Sequence, residues 1–327
     1  MSRRRLSHQQ WQRIRGQQTR PRQQVDAAGP EDASDSTLSG RIVAHYGALA
    51  VVEHAAGILQ RCRLRRNLPP LVCGDRVVWR REGDQGVVVA LQERHSLLQR
   101  PDPNGRPRPV AANLDQVLIV VAPRPEPSPE LIDRYLVIVE NSAIPALLVL
   151  NKADLLDTPQ YTGLRERLEL YSRIGYPVLE ASTRMTDGLS ALRSYLNGRT
   201  SILVGQSGVG KSSLVRTLLP GREIRIQALS SATGLGTHTT TVSTLYPLPE
   251  GGNLIDSPGV RGLEQNWLDR RQLAWGFIEF RPHLGQCRFG DCSHTVEPGC
   301  ALIEAVRSGQ IAPQRLQSFR SLQAAAG

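Results

Sequence analysis

The sequence predicts a multidomain protein that combines all-β and α/β architecture. Three observations support this fold class. Short alternating strands occupy residues 40–94, strand–helix alternation begins at Leu114, and three cysteines cluster with a histidine close to the C-terminus. We therefore expect a small N-terminal β-barrel, a central parallel sheet with flanking helices, and a C-terminal helical domain built around the cysteine cluster. The length of 327 residues has room for these domains.

The net charge of +10 favours a polyanionic partner, with nucleic acid as the first candidate, although a generally arginine-rich composition would give the same charge. The longest apolar runs, such as residues 117–122, have the length of a strand rather than of a membrane-spanning helix. The N-terminus is rich in arginine but has no apolar stretch behind it, unlike a secretory signal. We expect a cytoplasmic protein with no membrane contact.

Residues 1–37 are predicted to form a disordered basic tail. The first 25 positions hold seven arginines and no acidic residue, and a stretch rich in Gly, Pro, Asp and Ser follows them. The arginines could grip phosphates or simply remain solvated, and the sequence leaves both interpretations open.

Residues 38–100 are predicted to form a five-stranded barrel of the oligonucleotide-binding (OB) type, which would bind RNA. Alternating segments are separated by turn residues, and arginines give one strand edge a basic surface. Another kind of small barrel remains an alternative. The predicted strands are residues 41–46, 48–53, 57–63, 76–80 and 87–92.

Residues 101–264 are predicted to form the α/β domain. Strands of the buried type alternate with helical segments, which is typical of a parallel sheet covered by helices. The predicted strands are residues 114–122, 146–150, 178–180, 201–204 and 253–255, and the predicted helices are residues 129–140, 164–174, 189–197 and 213–219.

The strand at residues 201–204 leads into a glycine-rich loop with the pattern G-x-x-x-x-G-K-S, which indicates a phosphate-binding loop. Glycines let backbone N–H groups surround the β-phosphate, and the following helix presents its positive end to it. Lys211 would reach the β- and γ-phosphates, and Ser212 would bind Mg²⁺. The predicted loop comprises Gly205, Gln206, Ser207, Gly208, Val209, Gly210, Lys211, Ser212 and Ser213.

A D-x-x-G motif, which in nucleotide hydrolases senses the γ-phosphate, follows the strand at residues 253–255. Asp256 would hold Mg²⁺ through water, and the N–H of Gly259 would face the γ-phosphate. A threonine-rich loop at residues 236–241 lies between the two phosphate motifs. From this loop we choose Thr240, rather than the threonine on either side of it, as the residue that completes the magnesium shell.

An N-K-x-D motif at the end of the strand at residues 146–150 predicts recognition of guanine. Asp154 can accept hydrogen bonds from N1–H and the 2-amino group of guanine, and adenine lacks both donors, so GTP is favoured over ATP. Asn151 would orient the loop, and the stem of Lys152 would lie along the base. Residues 180–182 are either a further base-contacting loop or an ordinary loop. The motif comprises Asn151, Lys152, Ala153 and Asp154.

Lysine usage supports this nucleotide site. Among the 40 basic residues, only Lys152 and Lys211 are lysines, and both lie inside the two nucleotide-binding motifs. A compact ammonium serves better than a planar guanidinium at such positions.

Residues 265–327 are predicted to form a helical zinc-binding domain. Three thiolates and one imidazole have the composition of a closed tetrahedral zinc site, which is structural rather than catalytic. A domain of this size would depend on the metal to fold. The predicted ligands are Cys287, Cys292, His294 and Cys300.

The N-K-x-D motif precedes the phosphate loop, which reverses the usual order in GTPases. This arrangement resembles the circularly permuted GTPases. From about Gly40 to the C-terminus the chain resembles the bacterial GTPases of small-ribosomal-subunit biogenesis, the RsgA type. The matching stretches are residues 112–116, 151–154, 205–213, 236–241 and 256–259 and the cysteine cluster.

The resemblance implies an OB barrel, a permuted GTPase domain and a zinc domain, with GTP hydrolysis stimulated by the small ribosomal subunit and its rRNA during late maturation. We expect a monomer that uses GTP or GDP, Mg²⁺ and one structural Zn²⁺. The glutamine that often follows D-x-x-G is replaced by Val260, so we expect slow hydrolysis until a partner orders the switch loops.

Lys211 and His238 are the candidate catalytic residues. His238 is either a replacement for the missing glutamine or an ordinary loop histidine. An rRNA-docking protein for which GTP is only an affinity switch is the alternative function.

Overall fold

Five strands close into a barrel at the N-terminal end of the described chain. The computed structural model describes residues 37–55, 57–102, 104–158, 161–221, 243–257, 260, 263 and 268–325, so the predicted N-terminal tail lies outside it except for Thr37, which begins the first strand. The strand order is β1-β2-β3-β5-β4, with β4 returning to β1; β3 and β5 are parallel and the other neighbours antiparallel. The predicted OB-like barrel is confirmed. The strands are β1 (Thr37–Tyr46), β2 (Leu49–His54), β3 (Ile58–Leu64), β4 (Arg76–Glu82) and β5 (Gln85–Leu91).

The barrel interior is filled by alternate side chains of its strands. Trp79 of β4 is fully buried, in one core cluster with Ile42 of β1 and Val52 of β2. Cys62 shares this core, and its burial raises the pKa of the thiol to about 12, so it stays neutral and unreactive at physiological pH.

The central sheet continues beyond the barrel with the order β10-β9-β8-β11-β13-β12. Its first five strands are parallel, and β12 is antiparallel to β13. The predicted parallel sheet with flanking helices is therefore confirmed. The strands are β8 (Gln116–Val121), β9 (Ala146–Asn151), β10 (Val178–Ala181), β11 (Thr200–Val204), β12 (Thr244–Pro247) and β13 (Asn253–Asp256), and the helices are α1 (Pro129–Asn141), α2 (Thr162–Ile174), α3 (Ser190–Leu196) and α4 (Lys211–Leu218).

Barrel and central sheet are joined edge to edge. The first half of β1 pairs with β4, and its far end pairs with β12 through Ala44 and Thr244. Arg41 strengthens the seam, because its Nη2 donates to Oδ1 of Asn253 at 3.1 Å. The result is one continuous sheet of 11 strands.

A separate two-stranded ribbon connects the barrel to the central sheet. It consists of β6 (Leu97–Pro101) and β7 (Pro107–Ala112), for which no strand was predicted. Its prolines weaken the strand signal, since proline donates no hydrogen bond to a ladder. The predicted domain boundary between residues 100 and 101 falls inside β6, and the domain limits stay predictions.

The C-terminal part consists of three short helices around an aromatic cluster. Phe277, Phe280 and Phe319 stack or meet edge to face with ring centroids 4.7–5.7 Å apart. Among the described residues, no helix is both long enough and apolar enough to cross a bilayer. The helices are α5 (Arg270–Trp275), α6 (Ala301–Arg307) and α7 (Pro313–Ala324), with a 3-10 turn at Ile278–His283.

One buried ion network fastens this part to the central domain. Arg315 of α7 pairs with Asp133 of α1 and, through Nε at 2.5 Å, with Oε1 of Glu279. The hydroxyl of Tyr171, on α2, donates to Oδ1 of Asp133 at 2.8 Å. Arg315 and Asp133 are each only 1% exposed, and the guanidinium lies 4.4 Å from the ring centre of Phe277.

Candidate functional site

The phosphate-binding loop lies at the carboxyl end of the parallel sheet, between β11 and α4. Lys211 is the first residue of α4, and its Nζ donates to the carbonyl oxygens of Gly205 and Gln206 at 2.6 and 2.7 Å. The ammonium is thus held over the mouth of the loop. Backbone N–H groups at the start of a helix and a lysine over the loop together form a site for phosphate oxygens.

Asn151 brings the guanine-reading motif and the phosphate loop into contact. The side chain is 3% exposed, and its Nδ2 donates to the carbonyl of Val209 at 2.8 Å. A Cβ on Gly210 would lie 2.4 Å from that Nδ2, and Gly210 has a φ of 98°. Only glycine therefore fits beside Asn151, because both the space and the backbone conformation exclude other residues.

Lys152 makes a second link between the motifs. It adopts a left-handed φ of 58°, which is uncommon for a lysine. Its Nζ donates to the carbonyls of Gly208 at 2.7 Å and Arg124 at 2.6 Å. The contact with Arg124 was not predicted, since a backbone carbonyl on the loop before α1 has no sequence signature.

Asp154 is held in place by the loop that follows β10. Its Oδ1 accepts a hydrogen bond from Oγ of Ser182 at 2.5 Å, and the guanidinium of Arg184 lies 4.0 Å from its Oδ2. Ser182 is buried, and its Oγ also accepts from the backbone N–H of Arg184. Glu180 instead forms a surface ion pair with Arg165. Within residues 180–182, Ser182 is thus the residue whose side chain reaches the guanine-reading motif.

The other half of the phosphate site is only partly described. Asp256 ends β13 and pairs in register with Thr244 of β12, so its position at the sheet's carboxyl edge is that of the D-x-x-G aspartate. Val260 is partly buried against the core, where an apolar side chain cannot orient water. The candidates Gly259, Thr240 and His238 lie outside the described residues.

The assembled residues fit a guanine nucleotide with its metal. Lys211, the glycine-rich loop and the start of α4 come together after β11. The carboxylate of Asp154 follows β9, which is separated from β11 by β8, and it is already oriented by Ser182. Ser212 and Asp256 are oxygen ligands of the type that Mg²⁺ prefers.

A second site is formed in the C-terminal part, where the four predicted metal ligands come together. The ligand atoms of Cys287, Cys292, His294 and Cys300 all lie within 4.8 Å of one another. Nδ1 of His294 is 3.5 Å from the sulfur atoms of both Cys287 and Cys300, close to the spacing of about 3.5–4 Å expected around tetrahedral zinc. This Cys₃His set is compatible with zinc.

Glu297 organises the loop that carries these ligands, and sequence reasoning did not find it. Its carboxylate accepts hydrogen bonds from the backbone N–H groups of Ser293, Thr295 and Val296 at 2.7–3.1 Å and from the Ser293 hydroxyl. The Ser293 hydroxyl and these N–H groups hold the pKa of Glu297 well below its usual range. Its place in the sequence, between the predicted ligands His294 and Cys300, is the signal that could have found it.

The comparisons with known proteins agree with this geometry. The family model described as RsgA GTPase matches residues 91–266. A small ribosomal subunit biogenesis GTPase RsgA of Pseudomonas aeruginosa is 51% identical over 296 residues, covering 90% of this chain and 85% of the relative. The relative of that name from Azotobacter vinelandii is also 51% identical, over 300 residues.

Two solved structures are similar over most of the chain. YjeQ from Thermotoga maritima has a TM-score of 0.73 at 34% identity and covers 89% of this chain and 98% of its own. YloQ, described as a circularly permuted GTPase, has a TM-score of 0.70 at 27% identity, with 91% and 98% covered.

Proposed function

Because the chain belongs to the RsgA GTPase family, we propose that this GTP hydrolase acts on the small ribosomal subunit, and that the subunit stimulates its turnover during late maturation. The contacts between the guanine-reading motif and the phosphate loop, through Asn151 and Lys152, carry this proposal. They make one nucleotide site from two motifs that occur in permuted order.

In this proposal Asp154 reads guanine, with Ser182 fixing its carboxylate, and Asn151 and Lys152 hold the base-reading loop against the phosphate loop. The N–H groups of residues 205–213 and Nζ of Lys211 bind the phosphates. On nucleotide binding, Nζ would exchange its carbonyl partners for phosphate oxygens, which gain more from a charged donor. The backbone N–H of Gly259 faces the γ-phosphate.

Ser212, Thr240 and Asp256 are the residues that would hold Mg²⁺, which when bound neutralises phosphate charge. Water attacks the γ-phosphoryl in line with the bond to the β-phosphate oxygen, which breaks. Lys211 and the loop N–H groups stabilise the charge that develops on the phosphate oxygens.

The group that positions the attacking water is proposed to be His238, because Val260 occupies the place of the usual glutamine and is apolar. The test is turnover of His238→Ala with small subunits present. We expect a fall of about 100-fold, typical of losing a general acid–base or positioning group. Unchanged stimulated turnover would remove His238 from the mechanism.

The remaining parts are assigned by their chemistry. The OB-like barrel binds rRNA, and one structural Zn²⁺ is held by Cys287, Cys292, His294 and Cys300. The protein acts as a cytoplasmic monomer and binds GTP or GDP.

The decisive experiment measures GTP hydrolysis with no addition, with small subunits, with large subunits and with free rRNA. We expect stimulation by small subunits, and Lys211→Ala serves as the inactive control. Tight, nucleotide-dependent docking without faster turnover would support the alternative of an rRNA-docking protein switched by GTP. Competition by ATP at equal concentration should have little effect, because Asp154 would lose both of its donors.

A further inference from the structure

The loop between β8 and α1, residues 122–128, lies against the phosphate loop, and its backbone is fixed there at two points. The carbonyl oxygen of Arg124 accepts a hydrogen bond from Nζ of Lys152 at 2.6 Å, and the same Nζ donates to the carbonyl of Gly208 at 2.7 Å. A Cβ added to Gly208 would lie 3.3 Å from Cδ of Pro125. The backbone of Arg124 is therefore anchored beside Gly208, and the roles assigned above use only its carbonyl.

The guanidinium of Arg124 is available to a ligand. The residue is exposed, and none of the described residues forms an ion pair with it. Glu126, the acidic residue nearest to it in the chain, instead pairs with Arg167. By contrast, Arg184 beside the guanine-reading motif lies 4.0 Å from Oδ2 of Asp154. Arg124 thus brings to the phosphate loop a positive charge that no described carboxylate neutralises.

The anchored backbone places this charge within reach of a bound phosphate. Since both carbonyls accept from one Nζ, the oxygens of Arg124 and Gly208 are no further apart than the sum of the two hydrogen-bond lengths. The N–H groups from Gly208 to Lys211 are among those that surround the β-phosphate in a loop of this pattern. An arginine side chain is long, and its planar fork matches phosphate oxygens with two hydrogen bonds. The β-phosphate is therefore the group that the guanidinium of Arg124 can bind.

Hydrolysis of GTP leaves charge on the β-phosphate, where a further cation lowers the barrier. Water forms a new bond to the γ-phosphorus, the bond from the γ-phosphorus to the bridging oxygen breaks, and the electron pair stays on the β-phosphate. Charged donors that are already in position when this charge develops stabilise the transition state. Lys211 is one such donor, and Val260 supplies none because its side chain is apolar.

We propose that Arg124 is a further catalytic residue, whose guanidinium donates to the β-phosphate oxygens and stabilises the charge that develops on them as the γ-phosphoryl leaves. The arginine acts in cis and forms hydrogen bonds only. Lys152 positions it through the carbonyl, so one ammonium links the guanine-reading motif to this arginine. The proposal rests on the proposed function in taking GTP hydrolysis at this site as the reaction.

The test measures GTP hydrolysis by full-length Arg124→Ala, with and without small subunits. We expect kcat to fall about 100-fold in both conditions while KM for GTP stays unchanged, because the interaction forms only in the transition state. Arg124→Lys keeps the charge without the planar fork, and its kcat should lie between those of the wild type and Arg124→Ala. Guanidinium chloride added to Arg124→Ala should restore part of the lost turnover, whereas sodium chloride at the same ionic strength should not.

Arg173→Ala is the matched control, because Arg173 is an exposed arginine in the last turn of α2, which leads to the amino end of β10, and it should hydrolyse GTP like the wild type. Affinity for a fluorescent GDP is measured for every variant and reports whether the nucleotide site is intact. If Arg124→Ala has lost this affinity, Arg124→Gln takes its place, because it keeps a polar side chain and removes the charge; it should show the same fall in kcat.

Unchanged turnover in Arg124→Ala would overturn the proposal. A fall that guanidinium does not restore would also overturn it, because the side chain would then matter for packing rather than for charge. Equal restoration of Lys211→Ala would do the same, because the effect of guanidinium would not be specific to this position. Stimulation of the wild type by small subunits decides the proposed function separately: its absence would count against that function, while the unstimulated rates would still test Arg124.

Discussion

At the scale of single residues, the nucleotide site depends on contacts between side chains and backbone carbonyls. Asn151 and Lys152 both donate to the phosphate loop, at Val209 and Gly208. Each of these bonds joins a loop after one parallel strand to the loop after another. The proposed base-reading loop and the proposed phosphate-binding loop are therefore joined by hydrogen bonds before any nucleotide arrives.

Gly210→Ala should disrupt the contact of Asn151 with the phosphate loop. The added methyl group would meet Nδ2 of Asn151 at 2.4 Å, and the left-handed backbone would be strained as well. We expect GTP affinity to fall by at least about tenfold, measured by titration with a fluorescent GTP analogue.

The matched control is Gly198→Ala. Gly198 also has a positive φ, of 71°, but no atom lies within 4 Å of its would-be Cβ. It should lose about 1 kcal/mol of stability through backbone strain and keep its affinity for GTP. Equal affinity losses in the two variants would mean that strain, and not the contact with Asn151, is responsible.

The residue types of the site were predictable from the sequence, but their partners were only partly so. The patterns around Lys211 and Asp154 follow from the chemistry of phosphate and guanine, and these residues adjoin the expected strand ends. The bond from Lys152 to the carbonyl of Arg124 was not predictable, because any residue supplies a carbonyl. For the loop of Ser182 the sequence left two interpretations open, a base-contacting loop or an ordinary loop, so the role of Ser182 was not fixed in advance.

At the scale of elements, the loop between Cys287 and α6 is organised around one carboxylate. The carboxylate of Glu297 accepts hydrogen bonds from the backbone N–H groups of Ser293, Thr295 and Val296, beside His294, which itself has a left-handed φ of 62°. Hydrogen bonds of this kind orient metal ligands without touching the metal.

Glu297→Ala should therefore weaken zinc binding about tenfold or more, measured by competition with a chromogenic chelator. Glu304→Ala is the control, because Glu304 lies exposed on α6, where it pairs with exposed Arg307. If both variants release zinc equally readily, the loop does not depend on Glu297.

Regular elements followed from sequence patterns, and the irregular ones did not. The barrel strands alternate visibly and β8 is continuously apolar, so both were predictable. The β6–β7 ribbon was not, because its prolines and arginines lack strand character, although Leu98 and Ala111 pair with each other and are buried in the core.

At the scale of the whole molecule, α1 bridges the nucleotide site and the C-terminal part. The loop before α1 supplies the carbonyl that holds Lys152, and Asp133 of the same helix pairs with Arg315. Gly276, just after α5, lies close to Val137 of α1, and a Cβ added to Gly276 would be 2.7 Å from the Cα of Val137. A change at the nucleotide can thus reach the C-terminal part through α1 as well as along the chain that follows Asp256.

Arg315→Ala should undock the C-terminal part. It would leave Asp133 buried without its cation, and breaking a buried ion pair in this way costs about 3–5 kcal/mol. We expect a clearly lower midpoint for the first transition in thermal unfolding of the zinc-loaded protein. Arg307→Ala, which removes an exposed arginine of α6, should change stability by less than about 1 kcal/mol. Similar midpoints for the two variants would contradict the role of the network.

The seam between β1 and β12 constrains the order in which the chain can be assembled. Ala44 leaves the ribosome about 200 residues before its partner Thr244, which at translation rates of about 5–20 residues per second is a delay of about 10–40 s. All five barrel strands emerge early, so the barrel can close in the meantime and shield most of β1. Only the end of β1 near Ala44 must stay available, and its pairing with β12 is then among the last steps of synthesis-coupled folding.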